Sequence, residues 1–287
     1  MRCSPLDAPF GAQLYLDSDA PLGASDHAFL RAAFAEHGLL VVREGEVDDA
    51  RQVELMSTLG RVEPDEAGGP MRMEVTNQHE ETTAPDGELS FHYDYAYDPL
   101  PIPAISLYGL LIDGGVTPTC FANSSKVLDR LPAETVARLR PLVASHACFL
   151  YRLDDPSERN EEPTPLIPRG KPGWGPEHYW HRHPAIFENE HGVETLFVCL
   201  QHTDRFVGVP RVVSDGLLEE IYSALYDPAH IYEHRWRQGD LVLWDNLTVQ
   251  HARPRPVERP RTLRRYHTSD TNLTAEYLRI GRQLGLV

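Results

Sequence analysis

The chain has 287 residues, 43 of them acidic and 27 basic, and its formal net charge of -16 argues against a nucleic-acid partner, because phosphate backbones bind clustered basic side chains. Hydrophobic residues make up 41% of the chain, enough for a packed core, but no apolar run is long enough to cross a bilayer and the N-terminus lacks the apolar segment of an export signal. The four cysteines are far apart and form no C-x-x-C pair, so we expect a cytoplasmic protein with reduced cysteines and neither a disulfide framework nor a zinc site.

The first 60 residues predict two helices with a buried strand between them. Apolar side chains recur at helical spacing in residues 26–37, where Ser25 can cap the start and Gly38 the end. Residues 39–43 begin with four consecutive apolar side chains, which is typical of a short buried strand. Residues 48–59 again show the helical pattern.

The middle of the chain predicts strands separated by loops. Residues 67–86 are rich in glycine, proline, threonine and charge, which indicates a loop, and a strand carrying His92 and Asp94 follows. Residues 104–111 predict a further strand. Two helical segments are predicted after it, at residues 124–131 and 132–139.

The second half begins with an irregular stretch, residues 153–177, which is dense in proline, acid and glycine. A loop of this length is usually functional, so we interpret about residues 150–180 as an insert that forms a lid over a cavity. The elements predicted after it are strands at 184–187 and 195–198, a helix at 217–225, strands at 231–236 and 241–244 paired around a turn, and a last strand at 263–268. Without repeats or a linker, the pattern predicts one β-sandwich or jelly-roll domain over residues 1–287.

His92 and Asp94 are the strongest candidates for a metal site. Because alternate side chains of a strand leave the same face, both would point into one cavity while Tyr93 faces away. His251 is the best candidate for a second imidazole. Two histidines and one carboxylate that leave the other face of the metal open are the arrangement of non-haem Fe(II) oxygenases. We therefore predict His92, Asp94 and His251 as the Fe(II) ligands and the catalytic centre.

These residues, with the strand end Trp244-Asp245-Asn246, resemble the taurine dioxygenase (TauD/TfdA) family over most of the chain. The resemblance implies a mainly β fold with flanking helices and a double-stranded β-helix (jelly-roll, cupin-like) core. It also implies Fe(II), the cosubstrate 2-oxoglutarate and O2. The expected reaction is hydroxylation or another oxidation of a C–H bond in a small, anionic or amino-acid-like molecule, with release of succinate and CO2.

The resemblance further implies which residues bind the cosubstrate. Gly114-Gly115 and the segment that begins at Thr119 are similar to the family's Gly-Gly-x-Thr segment. The threonine of that segment contacts 2-oxoglutarate, so the resemblance implies the same contact for Thr119. Arg261 fits the family's arginine about ten residues beyond the distal histidine, which grips the far carboxylate of 2-oxoglutarate.

A second arginine of the family, four residues later, faces the same cavity in members with anionic substrates, and Arg265 fits it. Several arginines crowd this stretch, so Arg264 remains a rival for either role.

Several alternatives stay open at this point. No histidine in residues 64–73 matches the one that helps to hold sulfonate in the taurine enzyme, and residues 89–92 and 270–281 also resemble the γ-butyrobetaine hydroxylase branch. A cupin-like metal sensor without turnover and a zinc-dependent hydrolase would use the same ligands. The histidines at 178, 181 and 183 could suggest a second metal, although ordinary histidines are the more usual case. The oligomeric state is open, with dimers or tetramers common in such families.

Overall fold

The computed structural model describes residues 1–17, 20–43, 45–65, 67–79, 87–147, 180–189 and 192–269. Residues 150–179 of the predicted lid and residues 270–281 lie outside these ranges. The helices are α1 (Ala24–His37), α2 (Asp49–Leu59), α3 (Ala133–Leu139) and α4 (Arg211–Leu225). The strands are β1 (Arg2–Pro5), β2 (Ala12–Tyr15), β3 (Leu39–Val42), β4 (Met73–Thr76), β5 (Leu89–His92), β6 (Ala104–Ile112), β7 (Thr119–Asn123), β8 (Val143–Ala147), β9 (Trp180–Pro184), β10 (Ile186–Glu188), β11 (Glu194–Leu196), β12 (Thr203–Phe206), β13 (Ile231–His234), β14 (Leu241–Asp245), β15 (Val249–Arg253) and β16 (Arg261–His267).

Two sheets form the centre of the described fold. The larger has the strand order β1-β2-β3-β14-β6-β16-β4, and the smaller has the order β13-β7-β15-β5. Their inner faces share one apolar core, in which Phe121 of the small sheet packs against Trp244 of the large sheet with ring centroids 5.3 Å apart. The prediction of a mainly β jelly roll is confirmed. None of the helices in the described ranges is both long and apolar enough to cross a membrane.

The alternation of side chains along each central strand separates this inner core from an outer one. Leu39 and Val41 of β3 pack between the sheets, whereas Leu40 and Val42 pack outward against helices α1 and α2. A strand that is apolar on both faces is buried on both faces, so the continuous apolar run at residues 39–42 follows from its central place in the large sheet.

Both predicted N-terminal helices form, with ends close to those expected. Helix α1 ends at Gly38, which has the left-handed φ of 67° and donates its N–H to the Phe34 carbonyl. Helix α2 is capped by Asp48, whose carboxylate accepts the Arg51 N–H at 2.7 Å. The cap of α1 differs from expectation, because the helix starts one residue before Ser25 and Gly23 precedes it.

One predicted strand pairing and one predicted helix are wrong. The strands at 231–236 and 241–244 do not pair as a hairpin: β13 pairs with β7 in the small sheet, and β14 lies between β3 and β6 in the large sheet. The turn between them therefore carries the chain from one sheet to the other. Residues 124–130 form turns instead of the first predicted helix, while α3 forms as expected from residue 133.

Candidate active site

The two predicted histidine ligands face each other across a strand pair. His92 is the last residue of β5, and its register partner on β15 is His251, with ring centroids 4.2 Å apart. The Nδ1 atom of His92 lies 2.7 Å from the Ser90 carbonyl oxygen. A carbonyl oxygen can only accept a hydrogen bond, so the Nδ1 atom of His92 carries the proton. The lone pair on Nε2 of His92 is then available to a metal.

Asp94 reaches the same place from a turn and not, as predicted, from the strand. Strand β5 ends at His92, and residues 94–97 form a turn in which Tyr95 has a φ of 58°. Asn246 holds this turn, because its Oδ1 accepts the Asp94 N–H at 3.1 Å and its Nδ2 donates to the Asp94 carbonyl at 3.0 Å. The Asn246 amide thus fixes the backbone that carries the carboxylate.

Tyr93 faces away from this centre, as predicted. Its ring stacks on Phe197 at 4.5 Å, and its hydroxyl donates to Ser124 Oγ at 2.5 Å. Tyr93 therefore belongs to the core and not to the cavity.

The three predicted ligands converge on one point. Asp94 Oδ1 lies 3.3 Å from His92 Nε2 and 3.8 Å from His251 Nε2, and one ligand atom of each residue lies within 4.8 Å of the others. The Nδ1 atom of His251 is buried and has no hydrogen-bond partner among the described residues. Two imidazole nitrogens and one carboxylate oxygen at this spacing fit the ligand set of a non-haem Fe(II) centre.

The surrounding charges keep these donors in the forms that bind metals. Burial opposes ionisation of Asp94, but the charge of Arg265 outweighs it, so the pKa of Asp94 lies well below its usual value. Burial, reinforced by the charge of His92 and opposed by Asp94, lowers the pKa of His251 to about 3. At neutral pH the carboxylate is charged and the His251 imidazole is neutral.

No second group of three metal-binding side chains exists in the described ranges. His181 and His183 lie near each other, with ring centroids 4.9 Å apart, and His183 Nε2 is 2.9 Å from the Asp98 carbonyl. The structure brings them into no metal cluster, and residue 178 lies outside the described ranges.

A cavity of about 320 Å³ opens beside the three ligands, within the range typical of small-molecule sites. All six predicted site residues line it, namely His92, Asp94, Thr119, His251, Arg261 and Arg265. The remaining wall includes residues that the sequence analysis did not assign to the site: Met73, Leu89, Gln201, His202 and Arg253.

The arginines of β16 divide between the two faces of the large sheet. Arg261 and Arg265 line the cavity. Arg264 points the other way, towards α2: its Nε donates to Gln52 Oε1 at 2.7 Å and its Nη2 to the Val47 carbonyl at 2.7 Å. Because successive side chains of a strand point to opposite faces of the sheet, Arg264 does not face the cavity.

The two cavity-facing arginines have different surroundings. Arg261 donates from Nη1 to the Thr117 carbonyl at 3.1 Å, and its backbone N–H donates to Asn77 Oδ1 at 3.0 Å. Arg265 Nη2 lies 2.6 Å from Asp94 Oδ2. The guanidinium of Arg265 thus pairs with the carboxylate whose other oxygen faces the histidines.

Thr119 is the first residue of β7 and is buried beside the cavity. Its Oγ1 accepts a hydrogen bond of 3.0 Å from the indole nitrogen of Trp236. This partner could not be predicted from local patterns, because Trp236 lies 117 positions away along the chain. Arg253 could have been found, since it lies two residues after His251 on the same strand and so shares its face.

Comparison with known proteins identifies the family of the chain. The family model "Taurine catabolism dioxygenase TauD, TfdA family" matches residues 2–267. A (S)-phenoxypropionate/alpha-ketoglutarate-dioxygenase of Sphingobium herbicidovorans is 27% identical over 270 residues, which cover 86% of this chain and 87% of that enzyme.

Two crystal structures show the same fold. A taurine dioxygenase from Burkholderia xenovorans superposes with a TM-score of 0.72 at 21% identity, covering 93% of this chain and 90% of that one. AAD-2, in complex with Mn(II) and N-oxalylglycine, superposes with a TM-score of 0.71 at 20% identity, covering 94% of this chain and 97% of that one. Because the family match spans nearly the whole chain and the fold agrees, the protein belongs to the TauD/TfdA family of Fe(II)- and 2-oxoglutarate-dependent dioxygenases.

Proposed function

We propose that this dioxygenase oxidises a C–H bond of a small organic anion that carries an aromatic ring, with His92, Asp94 and His251 as the Fe(II) ligands. The observation that carries the proposal is the convergence of these three side chains on one wall of a cavity that arginines also line. Family membership favours this reaction over the zinc hydrolase and the metal sensor.

Thr119 and Arg261 are proposed to bind the cosubstrate. A buried dicarboxylate needs a positive partner, and the planar guanidinium can pair with a carboxylate through two parallel hydrogen bonds. Arg261 is 3% exposed, and its contact with the Thr117 carbonyl fixes one end of the guanidinium. Fe(II), 2-oxoglutarate and O2 together supply the oxidation of an unactivated C–H bond, with succinate and CO2 as co-products.

The substrate class follows from the rest of the cavity wall. Arg253 lines it on the same strand face as His251 and is 5% exposed, so it places a positive charge on the cavity wall near the metal ligands. Tyr95, Tyr97 and His202 add aromatic surface, with Tyr97 and His202 in edge contact at 5.2 Å. An aryl-substituted carboxylate satisfies both features, and the phenoxypropionate named for the Sphingobium relative is of that kind.

Substrate-dependent succinate formation tests this function. Aryl-substituted carboxylates should stimulate succinate release, and the matching primary amides, which lack the charge, should not. Arg253→Gln should raise KM for an active carboxylate by about tenfold or more and leave KM for 2-oxoglutarate within about twofold. Arg255→Gln is the matched control, because that arginine is exposed two residues further along. Equal stimulation by acids and amides would contradict the anionic substrate.

A further inference from the structure

We propose that Trp236 is a positioning residue for the cosubstrate: its indole N–H fixes the Thr119 hydroxyl so that the hydroxyl proton is presented to a carboxylate in the cavity. The inference rests on the proposed role of Thr119 in binding 2-oxoglutarate. Trp236 does not line the cavity itself, so it acts on the cosubstrate only through Thr119.

The contact between the two residues is direct and buried. The indole nitrogen lies 3.0 Å from Thr119 Oγ1, and both residues are 6% exposed. Trp236 follows β13 by two residues, and β13 pairs with β7 so that His234 lies opposite Thr119. Strand pairing therefore brings the indole to the hydroxyl.

The direction of this hydrogen bond decides what the hydroxyl can do. An indole nitrogen can only donate, whereas a threonine hydroxyl has one proton and two lone pairs. Thr119 therefore accepts from Trp236 and keeps its own proton for another acceptor. Because Thr119 lines the cavity, a carboxylate bound there is placed to accept it. A hydroxyl without the indole could rotate about its Cβ–Oγ bond and would lose this preference.

Buried contacts on the other side hold the indole in place. The ring of His234 packs edge-on against Trp236, with centroids 4.4 Å apart. His234 Nε2 lies 3.2 Å from Asp240 Oδ2, and its Nδ1 lies 3.0 Å from the Tyr232 hydroxyl. The indole is therefore fixed before any ligand arrives, so little ordering is needed on binding.

The test is a double-mutant cycle on the dissociation constant of 2-oxoglutarate, measured by calorimetry without oxygen on protein loaded with Mn(II). Trp236→Phe, which keeps a ring and removes the N–H, should raise the constant roughly three- to tenfold, as expected for one neutral hydrogen bond. In protein that already carries Thr119→Val, the same change should have no further effect. Additive effects, or no effect of Trp236→Phe, would overturn the inference.

Tyr266→Phe is the matched control, because it removes an aromatic hydroxyl that donates to Asp49 Oδ1 at 2.7 Å, away from Thr119, Trp236 and His234. It should lower the melting temperature and leave the dissociation constant within about twofold; a rise as large as that of Trp236→Phe would indicate a general structural effect and overturn the inference.

A second measurement needs no tryptophan variant, in case Trp236→Phe does not fold. In protein loaded with diamagnetic Zn(II), the indole proton of Trp236 is identified by its nuclear Overhauser contact with the residue 119 methyl groups. N-oxalylglycine should shift this resonance in the wild type and not in Thr119→Val; an unshifted wild-type resonance overturns the inference. Wild-type protein that binds no 2-oxoglutarate, or binding unchanged by Arg261→Gln, would instead show that the proposed cosubstrate site is wrong.

Discussion

The assignment of Arg261 and not Arg264 to the cosubstrate gives the sharpest test of the site, because the two residues are close in sequence and equally buried, at 3% and 4% exposure. Arg261→Gln removes the charge proposed to pair with the far carboxylate of 2-oxoglutarate. Losing one partner of a buried, hydrogen-bonded ion pair costs about 2–5 kcal/mol, which corresponds to a weakening of roughly 30-fold to a few thousandfold.

Arg264→Gln should show the opposite pattern. This arginine donates to Gln52 and to the Val47 carbonyl, and its Nη1 lies 3.4 Å from Asp49 Oδ2. Each hydrogen bond from a charged group contributes about 1.5–3 kcal/mol, so the free energy of unfolding should fall by about 3 kcal/mol or more. The affinity for 2-oxoglutarate should change by less than about threefold, because the side chain faces α2.

Anaerobic titration of the Fe(II) protein with 2-oxoglutarate, followed by the weak visible charge-transfer absorption, measures the affinity. Urea unfolding of the same samples measures stability. The reasoning fails if Arg261→Gln binds the cosubstrate as tightly as the wild type, or if Arg264→Gln is the variant that loses affinity.

Four further outcomes are expected. Replacing any one of the three predicted ligands by alanine should abolish turnover and tight Fe(II) binding, measured by equilibrium dialysis. Asn246→Ala should weaken Mn(II) binding by about 10- to 100-fold, because it frees the backbone that carries Asp94, and titration followed by electron paramagnetic resonance would reveal it. Arg265→Gln should make Mn(II) affinity fall more steeply between about pH 7 and about pH 5.5 than in the wild type, since the main charge that lowers the pKa of Asp94 is removed and burial then favours the protonated acid. The metal-free protein should lose unfolding free energy below about pH 6.5, by up to roughly 1.4 kcal/mol per pH unit for each buried histidine, because burial lowers the pKa of His251 and of His267 to about 3 and protons therefore bind the unfolded chain first. Identical urea curves at about pH 7 and about pH 5.5 would contradict this.

Local patterns were enough to predict the N-terminal helices and the central strands. Apolar spacing and turn residues act within a few positions, so the helix before Gly38 and the strand at residues 39–42 could be predicted from neighbouring residues alone. The convergence of His92, Asp94 and His251 could be predicted because each lies in a short motif that resembles the family. Prediction was less successful where the fold decides which strands pair with each other.

The false hairpin at residues 231–244 illustrates this limit. Two apolar strands around a Gln238-Gly239-Asp240 turn have the local pattern of a hairpin. The tertiary contacts favour another arrangement, since Trp236 and Trp244 both belong to the core between the sheets. Pairing β13 with β7 and β14 with β3 and β6 closes that core from both sides. No local pattern encodes this choice.

Strand alternation would have resolved the uncertainty about the arginines. Once residues 261–267 are placed on one strand, Arg261 and Arg265 share a face and Arg264 takes the other. Trp236 could not have been paired with Thr119 in this way, because that contact depends on the register between β13 and β7.

The three proposed ligands depend on the fold to different degrees, and this links the proposed metal site to the packing of the sheets. His92 and His251 are register partners on paired strands of the small sheet, so local pairing holds them. Asp94 lies in a turn beyond the strand, and residues from the large sheet hold it: Arg265 of β16 pairs with its carboxylate, and Asn246, directly after β14, fixes its backbone. The complete ligand set therefore exists only when the two sheets are packed together. Because a metal that binds only this packed state stabilises it by mass action, Fe(II) should raise the free energy of unfolding of the whole sandwich and not merely order a loop.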